Sequence, residues 1–314
     1  MISNDTLQII KKVLKHPIDS IWMLFQLLSR EEVFESVILC NLAAGLPDRL
    51  YNKYKGEIDY LSDFLSSDTS PCKIFPYKDV RSMPVVEAGW DKKAKLPYIM
   101  HKGKRFYSHQ RNTVERACEE YRYFLGIEGI LGTGIKEKSP HSYIDKDFYV
   151  EPGDVVLDVG CSDALFALDN VDNASQVFLF EVDKRWKRPL ENTFKPYSEK
   201  VSIINKLVSS RNSKNEIRLA DALADVDKNK TFFIKMDIEG FEREVISASE
   251  DFLKSHKVKL SCCVYHRQDD AVVIKDMLEK MGYKTRFSDG YMLPWINGIH
   301  FPYFRHGLIY AQNY

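Results

Sequence analysis

Apolar runs that end on an acid recur along the second half of this 314-residue chain. Val155-Val156-Leu157 leads into Asp158-Val159-Gly160-Cys161-Ser162-Asp163-Ala164, and a helix-like pattern, Leu165-Phe166-Ala167-Leu168, follows at once. A β-branched run, a sharp glycine and then a helix read as the opening unit of a parallel α/β sheet. The pattern returns at Val177-Phe178-Leu179-Phe180 before Glu181, at Val201-Ser202-Ile203-Ile204, at Thr231 to Met236 before Asp237, and at Leu260 to His266. A helix is expected over 271–281 and closing strands over 283–287 and 307–311, an order that predicts a doubly wound sheet with an antiparallel edge strand.

The first half has a different rhythm. Leu7, Ile10, Val13 and Leu14 keep helical spacing, Ser29 and Glu32 form a capping-box pattern that opens a second helix, and a third is expected over 47–66. Ser66-Ser67-Asp68-Thr69-Ser70-Pro71 is loop chemistry and the best boundary. Beyond it, Val85 to Trp90, Pro97 to Met100 and Lys104 to Tyr107, separated by a lysine-rich turn and by Lys102-Gly103, predict a small antiparallel meander. A charged helix over 113–125 and a glycine-rich connector over 126–134 lead into the core. The expected division is therefore a helical region at 1–70, a meander and helix at 71–147 and a sheet domain at 148–314.

Composition narrows the function classes. A hydrophobic content of 44% is ample for a globular core. Lys+Arg and Asp+Glu both number 45, so no overall positive charge marks the chain for nucleic acid. The apolar stretch Ile21 to Leu28 is about ten residues short of a membrane span, and the N-terminus lacks the charged and apolar regions of a secretory signal. Six cysteines without a C-x-x-C pair fit reduced thiols, and a cytoplasmic location is the expectation.

In open α/β sheets ligands sit beyond the carboxyl ends of the strands, where this chain collects its acids. Asp158 and Gly160 lie at the first strand end, and Glu181 at the second can accept hydrogen bonds from a ribose diol. Asn205, just past the third strand, can reach the adenine end of such a cofactor, though turn chemistry explains it equally well. On the fourth strand, alternation puts Phe233, Lys235 and Asp237 on one face, so a Lys235–Asp237 pair is expected there, either fixing the loop or serving catalysis. Glu242 reads as a helix-dipole residue, leaving Glu239 as the better site candidate. His266, after the fifth strand, can act as general base or bind an acceptor; His141 reads equally as a turn residue or part of an entrance. Asp237, Glu239 and His266 are acceptable ligands for a divalent cation, but the spacing demands no metal. The basic runs at 92–95 and 184–188 read as solvated faces, with Trp186 in the second open to contact with a cofactor's rim.

The run Ile234-Lys235-Met236-Asp237-Ile238-Glu239-Gly240-Phe241-Glu242, downstream of Asp158-x-Gly160 and Glu181, resembles the signature of the FkbM-type S-adenosylmethionine-dependent methyltransferases. The resemblance extends from about Gly153 to the C-terminus, and Ser139 to Tyr143 also resembles what precedes the core in some of these proteins. Such loops commonly carry Gly where this chain has Ala164, and a small residue and Asn where it has Cys161 and Ser162. The resemblance implies a class I methyltransferase sheet, S-adenosylmethionine as cofactor, and O-methylation of a sugar or glycan hydroxyl. It implies Asp158, Gly160, Cys161, Ser162, Glu181, Asn205 and Asp237 around the cofactor, and Lys235, Asp237, Glu239 and His266 at the chemistry. Positioning the two reactants can supply roughly 7–11 kcal/mol of barrier reduction, and a base for a hydroxyl acceptor about 10²–10⁴ in rate.

Two other readings compete. A nicotinamide-dependent oxidoreductase would also use an acid after the second strand, but the Gly-x-Gly-x-x-Gly positions are here Asp158, Gly160 and Asp163. A non-catalytic scaffold would have no need of acids at several adjacent strand ends.

Overall fold

The computed structural model describes residues 52–59, 74–75, 86–109, 111–127, 140–294 and 304–314. The helices expected before residue 47, the boundary loop at 66–71 and most of the glycine-rich connector lie outside these residues. The chain forms two compact units, Met1–Tyr77 and Lys78–Tyr314. In the first, residues 52–59 are helical and bury Tyr54 and Ile58.

The second unit opens with the antiparallel meander β1 (Ala88–Asp91), β2 (Leu96–His101) and β3 (Lys104–Tyr107), then helix α1 (Val114–Ile127). The two hairpin turns place Lys95, Lys102 and Gly103 at positive φ, which Gly103 allows without strain. The core follows as β4 (Val155–Val159), α2 (Leu165–Asn170), β5 (Gln176–Phe180), α3 (Lys187–Thr193), β6 (Val201–Ile204), β7 (Thr231–Met236), α4 (Glu242–Ala248), β8 (Lys257–Cys263), α5 (Asp270–Lys280), β9 (Lys284–Phe287) and β10 (Leu308–Gln312).

These strands form a seven-stranded sheet in the order β9-β10-β8-β7-β4-β5-β6. The four pairings that run from β8 through β7, β4 and β5 to β6 are parallel, and β10 runs antiparallel to both β8 and β9. The antiparallel strand expected at the edge is thus present one position in from it. The C-terminal strand is the last to be laid down and slots between β8 and β9, where Leu308 to Ala311 are buried on both sides, as their unbroken apolar run requires.

Alternation along β7 behaves as its pattern dictates. Phe232, Ile234 and Met236 enter a core cluster with Val155, Leu157, Val159, Leu260 and Cys262. On the other face Phe233 meets the rings of Phe148 and Phe166 at 5.4 and 5.7 Å. Parallel pairing of β7 with β4 sets Lys235 beside Asp158 and Met236 beside Val159, so both strands end at one level.

Gly160 marks that level. Its φ is +74°, and a Cβ built there would lie 2.0 Å from the carbonyl oxygen of Asp237. Two conditions therefore demand glycine at once: a left-handed backbone and close approach of the neighbouring strand end. Gly160→Ala is expected to destabilise the fold by about 2–4 kcal/mol, the sum of left-handed strain and overpacking, read as a lower urea midpoint with an unchanged slope.

Candidate active site at the strand ends

The first strand end is held by backbone and by one lysine. The amides of Gly160 and Cys161 both donate to the Phe180 carbonyl at 3.0 Å. Lys235 Nζ donates to the Gly160 carbonyl at 2.6 Å and lies 3.0 Å from Asp158 Oδ1, with both side chains almost fully buried. The expected partner of Lys235 was Asp237, two residues along its own strand; the structure pairs it with Asp158. Neighbouring strands lie about 4.8 Å apart, whereas same-face residues on one strand are separated by nearly 7 Å, so the cross-strand carboxylate is nearer.

The loop that follows is strained in two places. Ser162 and Ala164 have φ values of +48° and +58°. The left-handed conformation at Ala164 explains why glycine suits that position. Asp163 anchors the turn, its Oδ1 accepting the Leu165 amide at 2.9 Å, while Oδ2 is buried with no hydrogen-bond partner among the described residues. Cys161 is turned inward and buried.

Glu181 stands at the second strand end. Its Oε2 accepts the Ser162 amide at 2.8 Å and its Oε1 the Asp183 amide at 2.7 Å. Each oxygen keeps a lone pair for a further donor, which is what a vicinal diol requires. Asn205 Nδ2 donates to the Glu181 carbonyl at 3.1 Å, so it braces this strand end. Trp186 is buried against His109, with ring centroids 3.9 Å apart.

At the fourth and fifth strand ends, Asp237, Glu239, Glu242, His266, His141 and Tyr143 converge. Tyr143 donates to Asp237 Oδ2 at 2.8 Å. His266 Nε2 lies 3.5 Å from Asp237 Oδ1 and 3.6 Å from Glu239 Oε2, and its Nδ1 lies 3.0 Å from Glu242 Oε1. His141 Nε2 is 3.8 Å from Asp237 Oδ2 on the other side. Glu242 is only 1% exposed and accepts the Ile238 amide at 3.0 Å, whereas the side chain of Glu239 is 90% exposed. The residue read from sequence as a dipole partner is therefore the inner acid, and Glu239 reaches outward.

The charges follow from these neighbours. Burial pulls His266 down, but the Glu242 carboxylate at Nδ1 and the charges of Asp237 and Glu239 outweigh it and raise its pKa to about 9. Asp237 is half-buried, which pushes it up, yet the cations His266 and Lys235, with His141 and the Tyr143 hydroxyl, hold it down at about 2. His141, buried among the edges of the Tyr143 and Tyr265 rings, is lowered to about 4.

Three contributors to this site carried no chemical signal in the sequence. Tyr143 stood only within the segment resembling the approach to the core. Glu242 stood as a helix-start acid. Arg305 is buried in the last stretch of the chain, donating to the Tyr265 carbonyl at 2.6 Å, the His266 carbonyl at 3.2 Å and Gln268 Oε1 at 2.6 Å, and so fixes the backbone that presents His266. An arginine that spends its donors on backbone carbonyls has no local pattern to announce it.

A doubly wound sheet with one antiparallel strand set beside the fifth, and acids at adjacent strand ends, defines the class I methyltransferase fold. Residues 146–285 match the family model of the Methyltransferase FkbM domain. Among solved structures, the methyltransferase FkbM from Methylobacillus flagellatus KT is similar at 21% identity and TM-score 0.40, over 51% of this chain and 43% of that one. The match thus spans less than half of that relative's length. Precorrin-6y C5,15-methyltransferase from Geobacter metallireducens GS-15 follows at 17% identity and TM-score 0.34, over 52% of this chain and 78% of its own. SMU.1697c from Streptococcus mutans, solved in complex with SAH, matches at 11% identity and TM-score 0.36, over 52% and 91%. No curated protein sequence matches the chain. Among the described residues no helix is long and apolar enough to cross a membrane.

Asp163 gives this loop a pH signature. Burial raises its carboxyl from the ordinary 3.8 to about 7, with the Leu165 amide and Lys235 opposing and Asp158 and Glu120 adding to the rise. A carboxyl that holds its proton more tightly folded than unfolded contributes stability that is complete below pH 4 and is lost as pH rises to 7. Asp163→Asn keeps the Leu165 bond without the charge. Its stability is expected to equal that of the wild type near pH 4 and to exceed it increasingly up to pH 7, measured as unfolding midpoints across that range.

Proposed function

We propose that the protein transfers a methyl group from S-adenosylmethionine to a hydroxyl of a sugar or glycan. The observation that carries the reading is the presence, on the same edge of the sheet, of a diol-ready carboxylate, Glu181, and the acid-histidine cluster of Asp237, Glu239, Glu242 and His266, with the end of β4 between them. The cofactor supplies an electrophilic methyl on a sulfonium, and the protein's share is to position and to move a proton.

The residues divide that work. Glu181 binds the ribose hydroxyls. Asp158, Lys235 and Gly160 set the height of the cofactor-binding loop, and Cys161 and Ser162, their amides spent on the Phe180 carbonyl and on Glu181, hold that loop against the second strand end. With carboxylates facing both ring nitrogens, His266 serves to orient, holding Asp237 and Glu239 in place, and the general-base role passes to Glu239. That side chain alone among the cluster's acids reaches well into solvent, where an acceptor hydroxyl arrives. Its carboxylate would take the hydroxyl proton of an acceptor whose oxygen receives the methyl group, the cofactor's carbon–sulfur bond breaking to leave the neutral thioether. Asp237, fixed by Tyr143, binds a neighbouring hydroxyl of the acceptor.

Titration calorimetry tests the cofactor assignment. S-adenosylmethionine should bind and NAD should not, and Glu181→Ala should weaken binding at least about tenfold, since a lost hydrogen bond to a charged group costs about 1.5–3 kcal/mol. Equal affinity in that variant would remove Glu181 from the cofactor. Methyl-labelled cofactor, presented with a panel of mono- and oligosaccharides, should then pass label to one of them; transfer only to a non-carbohydrate acceptor would overturn the acceptor class.

A further inference from the structure

We infer that Asp237, Glu242 and His266 form a binding site for a divalent cation of mixed oxygen and nitrogen preference, such as Mn²⁺. One ligand atom from each lies within 4.8 Å of the others. Oxygens and nitrogens bound at about 2.0–2.2 Å to a single ion stand roughly 3–4 Å from one another, so small side-chain closure completes the set. Two carboxylates and one imidazole suit a first-row divalent ion of this type.

The second observation is a set of buried atoms left without hydrogen bonds. The side chain of His266 is 6% exposed and its Nδ1 is paired with Glu242, but its Nε2 makes no hydrogen bond among the described residues, the nearest carboxylate oxygens standing 3.5 and 3.6 Å away. Glu242 is 1% exposed, and its Oε2 has no hydrogen-bond partner either. Buried polar atoms of this kind are costly unless something satisfies them, and a cation shared by Asp237, Glu242 and one ring nitrogen of His266 satisfies the atoms it binds. Charge points the same way: Asp237, Glu239 and Glu242 surround one imidazole, while Lys235 Nζ is drawn to Asp158 and the Gly160 carbonyl.

Geometry selects this triad over its neighbour. His141, Asp237 and Cys263 also lie within reach of one another. In that group His141 and Cys263 are buried and the Tyr143 and Tyr265 rings stand 5.3 and 5.4 Å from the His141 ring, with no exposed acid beside it among the described residues. The chosen triad opens toward the exposed Glu239, which gives the ion an entry path and leaves room for a further oxygen ligand. The site stands without the methyl-transfer reading but deepens it, because an alcohol oxygen bound to a divalent ion loses its proton more readily.

Chelator-stripped full-length protein, without S-adenosylmethionine, titrated with Mn²⁺ and followed by calorimetry and by loss of the free-ion electron paramagnetic resonance signal, tests the site. One ion per chain is expected, with affinity reduced at least about tenfold in both Asp237→Asn and His266→Ala and unchanged in Cys263→Ala. Absence of stoichiometric binding by the wild-type chain up to ~1 mM Mn²⁺ would overturn the inference whatever the variants do. So would binding that survives both ligand substitutions, or that disappears in Cys263→Ala. Circular dichroism identifies any variant that fails to fold, in which case Glu242→Gln takes its place. Because no cofactor is present, these outcomes are read apart from the assignment of S-adenosylmethionine.

Discussion

The buried pair of Lys235 and Asp158 is the constraint on which the strand ends depend. Taking an ammonium and a carboxylate out of water costs several kcal/mol per ion, and the cost is offset only where geometry is good and the remaining donors are used. Here Nζ lies 3.0 Å from Asp158 Oδ1, donates to the Gly160 carbonyl at 2.6 Å and sits over the Tyr143 ring at 5.1 Å. One side chain thereby ties the end of the fourth core strand to the end of the first. Gly160 answers from the other direction, packed so closely on the Asp237 carbonyl that no side chain fits between them. The loop after β4 and the acid cluster cannot shift independently.

That coupling explains how the fold tolerates so many acids in so small a volume. Asp158 is neutralised inside the sheet by Lys235. Glu181 is stabilised by two backbone amides. Asp237, Glu239 and Glu242 share His266, and the shared charge holds Asp237 ionised while it holds His266 protonated. Each acid is compensated by a different kind of partner, so no single cation governs all five. A scaffold selected only for stability would replace buried charges with apolar side chains, which are often as stable or more so. Retaining charges at three adjacent strand ends is the mark of a surface kept for chemistry.

Much of this was legible in the sequence because burial on both faces makes parallel strands read as unbroken apolar runs. Val155 to Val159, Val177 to Phe180 and Thr231 to Met236 all appear as strands within a residue of their expected bounds. The acids that end them were legible for the same reason: a charge after such a run can only lie at its exit. Partners were not legible. The Lys235 pair depends on which strand lies beside β7 and at what register, information that resides in the sheet and not in the nonapeptide around Lys235. Tyr143 and Arg305 reach the site from before and after the acid-bearing strands, and each looks ordinary among its chain neighbours. The antiparallel strand was legible as a strand but not as an insertion, because its place depends on pairing with both β8 and β9, which lie far from it in the chain.

The sorting of Glu239 from Glu242 shows how backbone conformation can decide chemistry that residue type leaves open. Both acids follow Asp237 closely, and helical spacing places them on nearby parts of one turn. Glu239 and Gly240, however, have φ values of +57° and +97°, so the chain reverses before the helix begins. Gly240 takes that conformation without cost; Glu239 takes it at about 1 kcal/mol or more. The reversal swings Glu239 out and drops Glu242 in, where it accepts the Ile238 amide and closes the same turn that displaced its neighbour. The strain at Glu239 is thus held by a bond made three residues later, and its consequence is one water-facing acid and one buried acid, with the His266 imidazole between them.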